Sequence, residues 1–139
     1  MNFLLTGGAG YIGSHAALSL LDAGHNVHVI DDLSTGNESL IPKNAYFTKC
    51  NINDEEKISK LIQSNKFDVL MHFAGFIQVE ESVKYPQKYF DNNTENATNL
   101  FETCKINGLN NIIFSSTAAV YGSVSENKLL DENTNLNPQ

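Results

Sequence analysis

Arginine and tryptophan are absent from the 139 residues, and cysteine and proline are scarce, with two and three copies. All nine basic side chains are therefore lysines, set against 16 acidic ones, for a formal net charge of −7. A nucleic-acid binder needs a basic surface to displace counterions from phosphates, so no nucleic-acid partner is expected. No apolar run approaches the roughly 20 residues of a membrane span. The stretch from Met1 to Thr6 has no basic residue and breaks at Gly7, which predicts neither a membrane partner nor a secretory leader. Cys50 and Cys104 have no C-x-x-C or histidine-paired spacing. They read as two buried thiols in a reducing compartment, with no metal site, and the expected location is the cytoplasm. Asparagine clusters at Asn92, Asn93, Asn96 and Asn99 without glutamine or aromatic alternation, which reads as compositional bias.

What is present is an alternation of short β-branched runs with longer amphipathic stretches, the pattern of a parallel sheet with crossover helices. Strands are predicted at 2–6, 27–31, 45–49, 68–73 and 111–115. Helices are predicted over 11–23, with Ile12, Ala16 and Leu20 or Leu21 on one face, and over 54–64, capped by Asp54 and facing Ile58, Leu61 and Ile62 inward. One long helix from Pro86 to about Gly108 is expected to carry Phe90, Ala97, Leu100, Phe101 and Cys104. Beyond Gly122 the chain reads as polar and irregular. Right-handed crossovers then give a doubly wound α/β fold of five strands in the order 3-2-1-4-5, with helices on both faces.

The first strand runs into Thr6-Gly7-Gly8-Ala9-Gly10-Tyr11-Ile12-Gly13. This satisfies G-x-x-G-x-x-G through Gly7, Gly10 and Gly13, and G-x-G-x-x-G through Gly8, Gly10 and Gly13. Three glycines in seven residues can be an ordinary turn, but these follow a strand and open a helix. There, glycine permits positive φ and close backbone approach to a pyrophosphate, and the unpaired N–H groups of the helix start hold its charge. The second strand ends in Asp31-Asp32, about where an acid accepts hydrogen bonds from adenosine ribose hydroxyls. A carboxylate repels a 2′-phosphate, and no lysine lies between Asp31 and Pro42 to offset it. NAD is thus the expected cofactor, in preference to NADP.

With these motifs the chain resembles the extended short-chain dehydrogenase/reductase family and, within it, the UDP-hexose 4-epimerases. The resemblance continues through Leu33-Ser34-Thr35-Gly36-Asn37, His72-Phe73-Ala74-Gly75, Glu81-Ser82-Val83, Tyr89-Phe90-Asp91-Asn92-Asn93 and Phe114-Ser115-Ser116-Thr117-Ala118-Ala119-Val120-Tyr121-Gly122. It implies a Rossmann-like domain in which Tyr11 and Ile12 continue the pyrophosphate turn and Asp31 holds the adenosine ribose, bordered by Asn37. Asn51 and Ile52 stand where the family usually has Asp-Ile beside the adenine, and the Asn51 carbonyl can still accept from the exocyclic amine. Phe73, Ala74 and Gly75 are implied to run beneath the cofactor. A lysine that some relatives carry two positions after that glycine is replaced by Ile77. Asn92 is implied near the nicotinamide half, although on sequence alone it is equally a polar residue on a solvated helix face. Ser115-Ser116-Thr117 ends the fifth strand. Its hydroxyls can cap their own backbone, or, as the resemblance implies, Thr117 acts catalytically by hydrogen-bonding the sugar oxygen at C4.

A 4,6-dehydratase relative would follow that threonine with Asp-Glu as acid and base, whereas this chain has Ala118-Ala119. The implied activity is therefore an isomerase that interconverts UDP-glucose and UDP-galactose through a transient 4-keto intermediate, in galactose metabolism. The family's base is a tyrosine whose pKa is depressed by a lysine four residues on. None of the five tyrosines here is followed by such a lysine. The resemblance places that pair just past Gln139, so residues 1–139 are expected to be an incomplete cofactor-binding domain, inactive alone, of a homodimeric parent enzyme. Two alternatives stay open: an epimerase or dehydratase for another nucleotide sugar, and a non-catalytic NAD-sensing module. Apolar surface is expected to be exposed around the fifth strand.

Overall fold

A computed structural model describes residues 1–123 and 129–138. Residues 124–128 and Gln139, which fall in the stretch read above as irregular, lie outside the described residues. Five strands, β1 (Asn2–Thr6), β2 (Asn26–Asp31), β3 (Tyr46–Lys49), β4 (Val69–His72) and β5 (Ile112–Phe114), pair in parallel in the order β3-β2-β1-β4-β5. This is the predicted topology. Central strands are covered on both faces, so β1 shows no polar alternation, and its side chains divide by period two between two cores. Leu4 joins Ile30, Leu70, Ile58, Ile62, Leu100 and Cys104 on one face. Phe3 and Leu5 join Val27, Val29, Val69 and Ala17 on the other.

The first core lies under α2 (Glu55–Ser64) and α5 (Ala97–Ile106), the second under α1 (Tyr11–Asp22). Asp54 caps α2 as predicted, its Oδ1 accepting from the Lys57 N–H at 3.1 Å. Gly24 ends α1 in the left-handed region at φ 80°, with its N–H on the Leu21 carbonyl, a conformation that glycine takes at little steric cost.

Three expectations are corrected. On α1 the buried residues are Gly13, Ser14 and Ala17, and Ile12 is 61% exposed. Ala16, Leu20 and Leu21 do pack against the second core as expected, and it is only near the glycine turn that small residues alone lie beneath the helix. The single long helix from Pro86 is interrupted: α4 (Pro86–Phe90) passes into a π-helical segment (Asp91–Asn96) before α5, and Phe90 is 57% exposed. A π turn adds a residue and shifts the helical phase, so Phe90 does not share a face with Leu100. Finally, a six-residue helix α3 (Val79–Lys84) and two 3₁₀ turns (Glu38–Leu40 and Ala118–Tyr121) went unpredicted. Val79 and Val83 of α3 face solvent, so no apolar stripe announced it.

Ile112, Ile113 and Phe114 of β5 are all exposed, in line with the apolar surface expected there. Among the described residues no helix is long and apolar enough to cross a membrane, and no cluster of three or more His, Cys, Asp or Glu could hold a metal ion. Both cysteines are free and buried. Burial pushes the Cys104 thiol up to about 12 and raises that of Cys50 as well. Since only the thiolate attacks a disulfide reagent, neither thiol is expected to react with Ellman's reagent at pH 8 until the chain unfolds. Stopped-flow labelling with and without denaturant checks this, Cys104 being the slower of the two.

Candidate nucleotide-binding site

The site is assembled by register. Ile30, Thr6, His72 and Phe114 lie side by side across β2, β1, β4 and β5. Asp31, Gly7, Phe73 and Ser115 are the next residues along, so all four segments leave the sheet at the carboxyl rim, where open α/β sheets place ligands. Beneath them a buried pair locks the row. Thr6 Oγ1 and His72 Nδ1 share a 2.7 Å hydrogen bond, and the His72 ring stacks on Phe114 and meets Phe101 edge-on. Burial lowers the His72 pKa to about 4, so the imidazole is neutral.

Gly7 adopts φ 72° and lies against the β4 loop, where a Cβ would come within 2.5 Å of the Ala74 nitrogen. A Cβ on Gly13 would collide with the Gly7 carbonyl. The glycine turn is therefore packed on both sides, as the motif predicts. Gly10 is the N-cap of α1, and no side chain caps the helix. The first-turn amides, those of Tyr11, Ile12 and Gly13, are left for an anion, and the Tyr11 and Ile12 side chains point into solvent.

Asp31, 9% exposed, accepts from the Ala9 N–H through Oδ2 and from the Leu33 N–H through Oδ1, both at 2.9 Å. Leu33 stands at φ 62°, the one described non-glycine residue with positive φ. Asn37 Oδ1 caps the first 3₁₀ turn by accepting from the Ser39 N–H, while the Asn37 N–H donates to the Ala9 carbonyl. Asn51 donates to Asp32 at 2.7 Å, and its carbonyl accepts from the Asn53 N–H. Burial raises the Asp32 carboxyl, but hydrogen bonds from Ser34 and Asn51 outweigh it and hold the group below its ordinary value. Two consecutive carboxylates thus stand at the end of β2, one held by the Ala9 and Leu33 amides and the other by the Ser34 amide and Asn51. The Ile52 side chain is part of the first core, which leaves only its backbone for the rim.

On the other half, Phe73 and Ala74 pack against the two cores, and Gly75 lies beside Asn93. Asn93, given no role of its own in the sequence reading, accepts from the Phe76 N–H and donates to the Phe76 carbonyl, both at 2.9 Å. Asn92 donates to Asn93 at 2.9 Å. Both asparagines belong to the π segment, which turns them toward the β4 loop. The Asn-Asn pair was the available signal, set aside as composition. Where the loop meets α3, Glu81 accepts from Lys88 at 2.7 Å and from the Tyr89 hydroxyl at 2.8 Å. These bonds hold its carboxyl below the usual range. On β5 the Ser115 N–H donates to the His72 carbonyl, and Ser115 and Thr117 are exposed. Thr117 Oγ1 accepts from the Ala119 N–H at 3.1 Å, and its own hydroxyl proton remains to be donated. The self-capping alternative and the outward-facing hydroxyl therefore coexist.

Residues 3–139 match the profile of a family described as the NAD dependent epimerase/dehydratase family. A UDP-glucose 4-epimerase of Lactobacillus helveticus is 41% identical over 138 residues, which cover 99% of this chain and 42% of that protein. A crystal structure of a UDP-glucose 4-epimerase superposes with a TM-score of 0.92 at 38% identity, over 99% of this chain and 42% of the other. The UDP-glucose 4-epimerase of Thermus thermophilus, solved in complex with NAD, gives 0.91 at 34% identity, over 99% and 45%. The chain thus spans less than half the length of each of these relatives.

Proposed function

Because this chain belongs to the NAD dependent epimerase/dehydratase family, we propose that it is the NAD-binding segment of a UDP-glucose 4-epimerase, an isomerase of galactose metabolism. The observation that carries this reading is the start of α1, capped by no side chain, together with Asp31, whose carboxylate is fixed by the Ala9 amide at 2.9 Å. A glycine turn in which added Cβ atoms at positions 7, 8 and 13 would strike the protein itself, a helix start capped by no side chain and a carboxylate held by amides fit a dinucleotide with a free 2′-hydroxyl. Gly7, Gly10, Tyr11, Ile12 and Gly13 hold the pyrophosphate through main-chain atoms. Asp31 takes the ribose diol, bordered by Asn37. Asn51 and the Ile52 backbone flank the adenine. Phe73, Ala74, Gly75, Asn92 and Ser115 hold the nicotinamide half.

When bound, NAD supplies the acceptor and donor of hydride for C4 of the sugar. Thr117 would hydrogen-bond the sugar oxygen at C4 and help pass that oxygen's proton to the base of the longer enzyme as C4 gives up hydride. Ala118 and Ala119 follow in place of an acid–base pair, which favours epimerisation over elimination. UDP-glucose and UDP-galactose are the proposed substrates of the longer enzyme. It would work in the cytoplasm as a homodimer, a role that the exposed Phe90 of α4 and Tyr85 just ahead of that helix suit.

No tyrosine of this chain has a lysine four residues on, so binding and turnover separate. Calorimetric titration of the 139-residue chain is expected to show NAD bound and NADP bound at least about tenfold more weakly, the scale of one charged contact. A coupled assay is expected to show no conversion of UDP-galactose. A folded sample that ignores NAD overturns the cofactor reading, and turnover by the purified chain overturns the division of labour.

A further inference from the structure

The turn after β2 contains a glycine whose backbone does not require one. Gly36 is not among the glycines with positive φ, yet a Cβ built on it would lie 2.7 Å from Asp31 Oδ1 and 2.8 Å from the Ala9 Cβ. We infer that Gly36 is a positioning residue for ribose recognition: its missing side chain leaves the space in which the Asp31 carboxylate is locked, and with it the preference for a ribose 2′-hydroxyl. The inference rests on the NAD reading above.

The lock has two sides. Ala9 donates its N–H to Asp31 Oδ2 and accepts the Asn37 N–H on its carbonyl, each at 2.9 Å. The loop from Asp31 to Asn37 is thereby stitched to the glycine turn at both ends. Leu33 takes a left-handed conformation, unfavourable for a bulky side chain, and from there its N–H reaches Asp31 Oδ1. Each carboxylate oxygen thus has one lone pair on a backbone amide and keeps another for a ligand hydroxyl. Gly36 sits inside this clasp. Ala9 is fully buried and cannot retreat, and the carboxylate is held by two amides, so neither neighbour is the free end of a flexible side chain. A methyl group at position 36 must turn the carboxylate off its amides or lift the loop. In either case the ribose loses its acceptor while the pyrophosphate seat, built from residues 7–13, stays in place.

The test is titration of the 139-residue chain with NAD and with its 2′-deoxyadenosine analogue. The wild-type chain is expected to prefer NAD by about ten- to a hundredfold, the worth of a hydrogen bond to a charged group. In Gly36→Ala this ratio is expected to collapse toward one, chiefly through weaker NAD binding, with analogue affinity little changed. A loss of general stability would weaken both ligands together and leave the ratio intact, and an intact ratio overturns the inference. Should Gly36→Ala fail to fold, the double variant Ala9→Gly, Gly36→Ala removes the contact with Ala9 and keeps the one with Asp31. It carries the same expectation, and restored selectivity overturns it. A wild-type chain that binds both ligands equally also overturns it. A wild-type chain that binds neither overturns the NAD reading instead.

Discussion

Gly7→Ala is expected to destabilise the chain by about 2–4 kcal/mol and to abolish NAD binding. Two effects add. Alanine at φ 72° carries the left-handed penalty, about 1 kcal/mol. The new methyl also meets the backbone of Phe73 and Ala74, at 2.7 Å from the Phe73 carbonyl carbon and 2.5 Å from the Ala74 nitrogen. Backbone in a packed core cannot rotate aside as a side chain can, and such overpacking costs about 1–3 kcal/mol more. Gly24→Ala is the control. Gly24 has φ 80° but nothing within 4 Å of a built Cβ, so only the first penalty, about 1 kcal/mol, applies. Urea unfolding of the two variants separates the effects. Equal losses would show that Gly7 serves the turn alone and does not set the approach of β1 to the β4 loop.

The second large effect is acid instability centred on His72. Its side chain is buried among Thr6, Phe101 and Phe114, with no charged partner. Its pKa falls from 6.5 to about 4, so in that window the unfolded chain binds a proton that the folded chain refuses. Stability contributed by the neutral ring is full above pH 6.5 and is lost as pH falls toward 4. The slope approaches 1.4 kcal/mol per pH unit, a total of about 3 kcal/mol. His28, half-buried beside Thr48 and Tyr46 with its pKa also lowered by burial, adds in the same direction. Chemical denaturation across pH 4 to 7 measures the slope, and His72→Gln is expected to remove most of it. An NMR titration in which the native His72 ring protonates near 6.5 would defeat the assignment.

The sheet order, both cores and the glycine turn were legible because each follows from a local signal that tertiary packing reinforces. β-branched runs marked buried strands, and Gly7 and Gly13 occupy positions that tolerate no Cβ. Asp31 was legible by spacing, and the structure adds that both its oxygens are already held by amides. What escaped depends on contacts remote in sequence. Nothing local marks the π segment. It forms where Asn93 reaches back 17 residues to the Phe76 backbone. The short helix α3 has no buried face to generate a period, and Glu81, Lys88 and Tyr89 hold it by polar contacts. Gly36 entered only as one letter of a motif, and it is the approach of Ala9 and Asp31 that gives it a purpose. Ile12 was misplaced because helical periodicity identifies an apolar face but not how closely the neighbouring turn approaches.

The phosphate seat proposed above, assembled from main-chain amides with no arginine in the chain and no side chain capping α1, would reverse the usual direction of mutational harm. Ordinary anion sites fail by deletion, when a lysine or arginine is lost. Here there is nothing to delete, since every substitution leaves the amides in place, proline apart. Damage comes by accretion, one carbon atom too many at position 7, 8 or 13. Inherited variation at this turn should therefore be read by the bulk it introduces and not by the charge it removes.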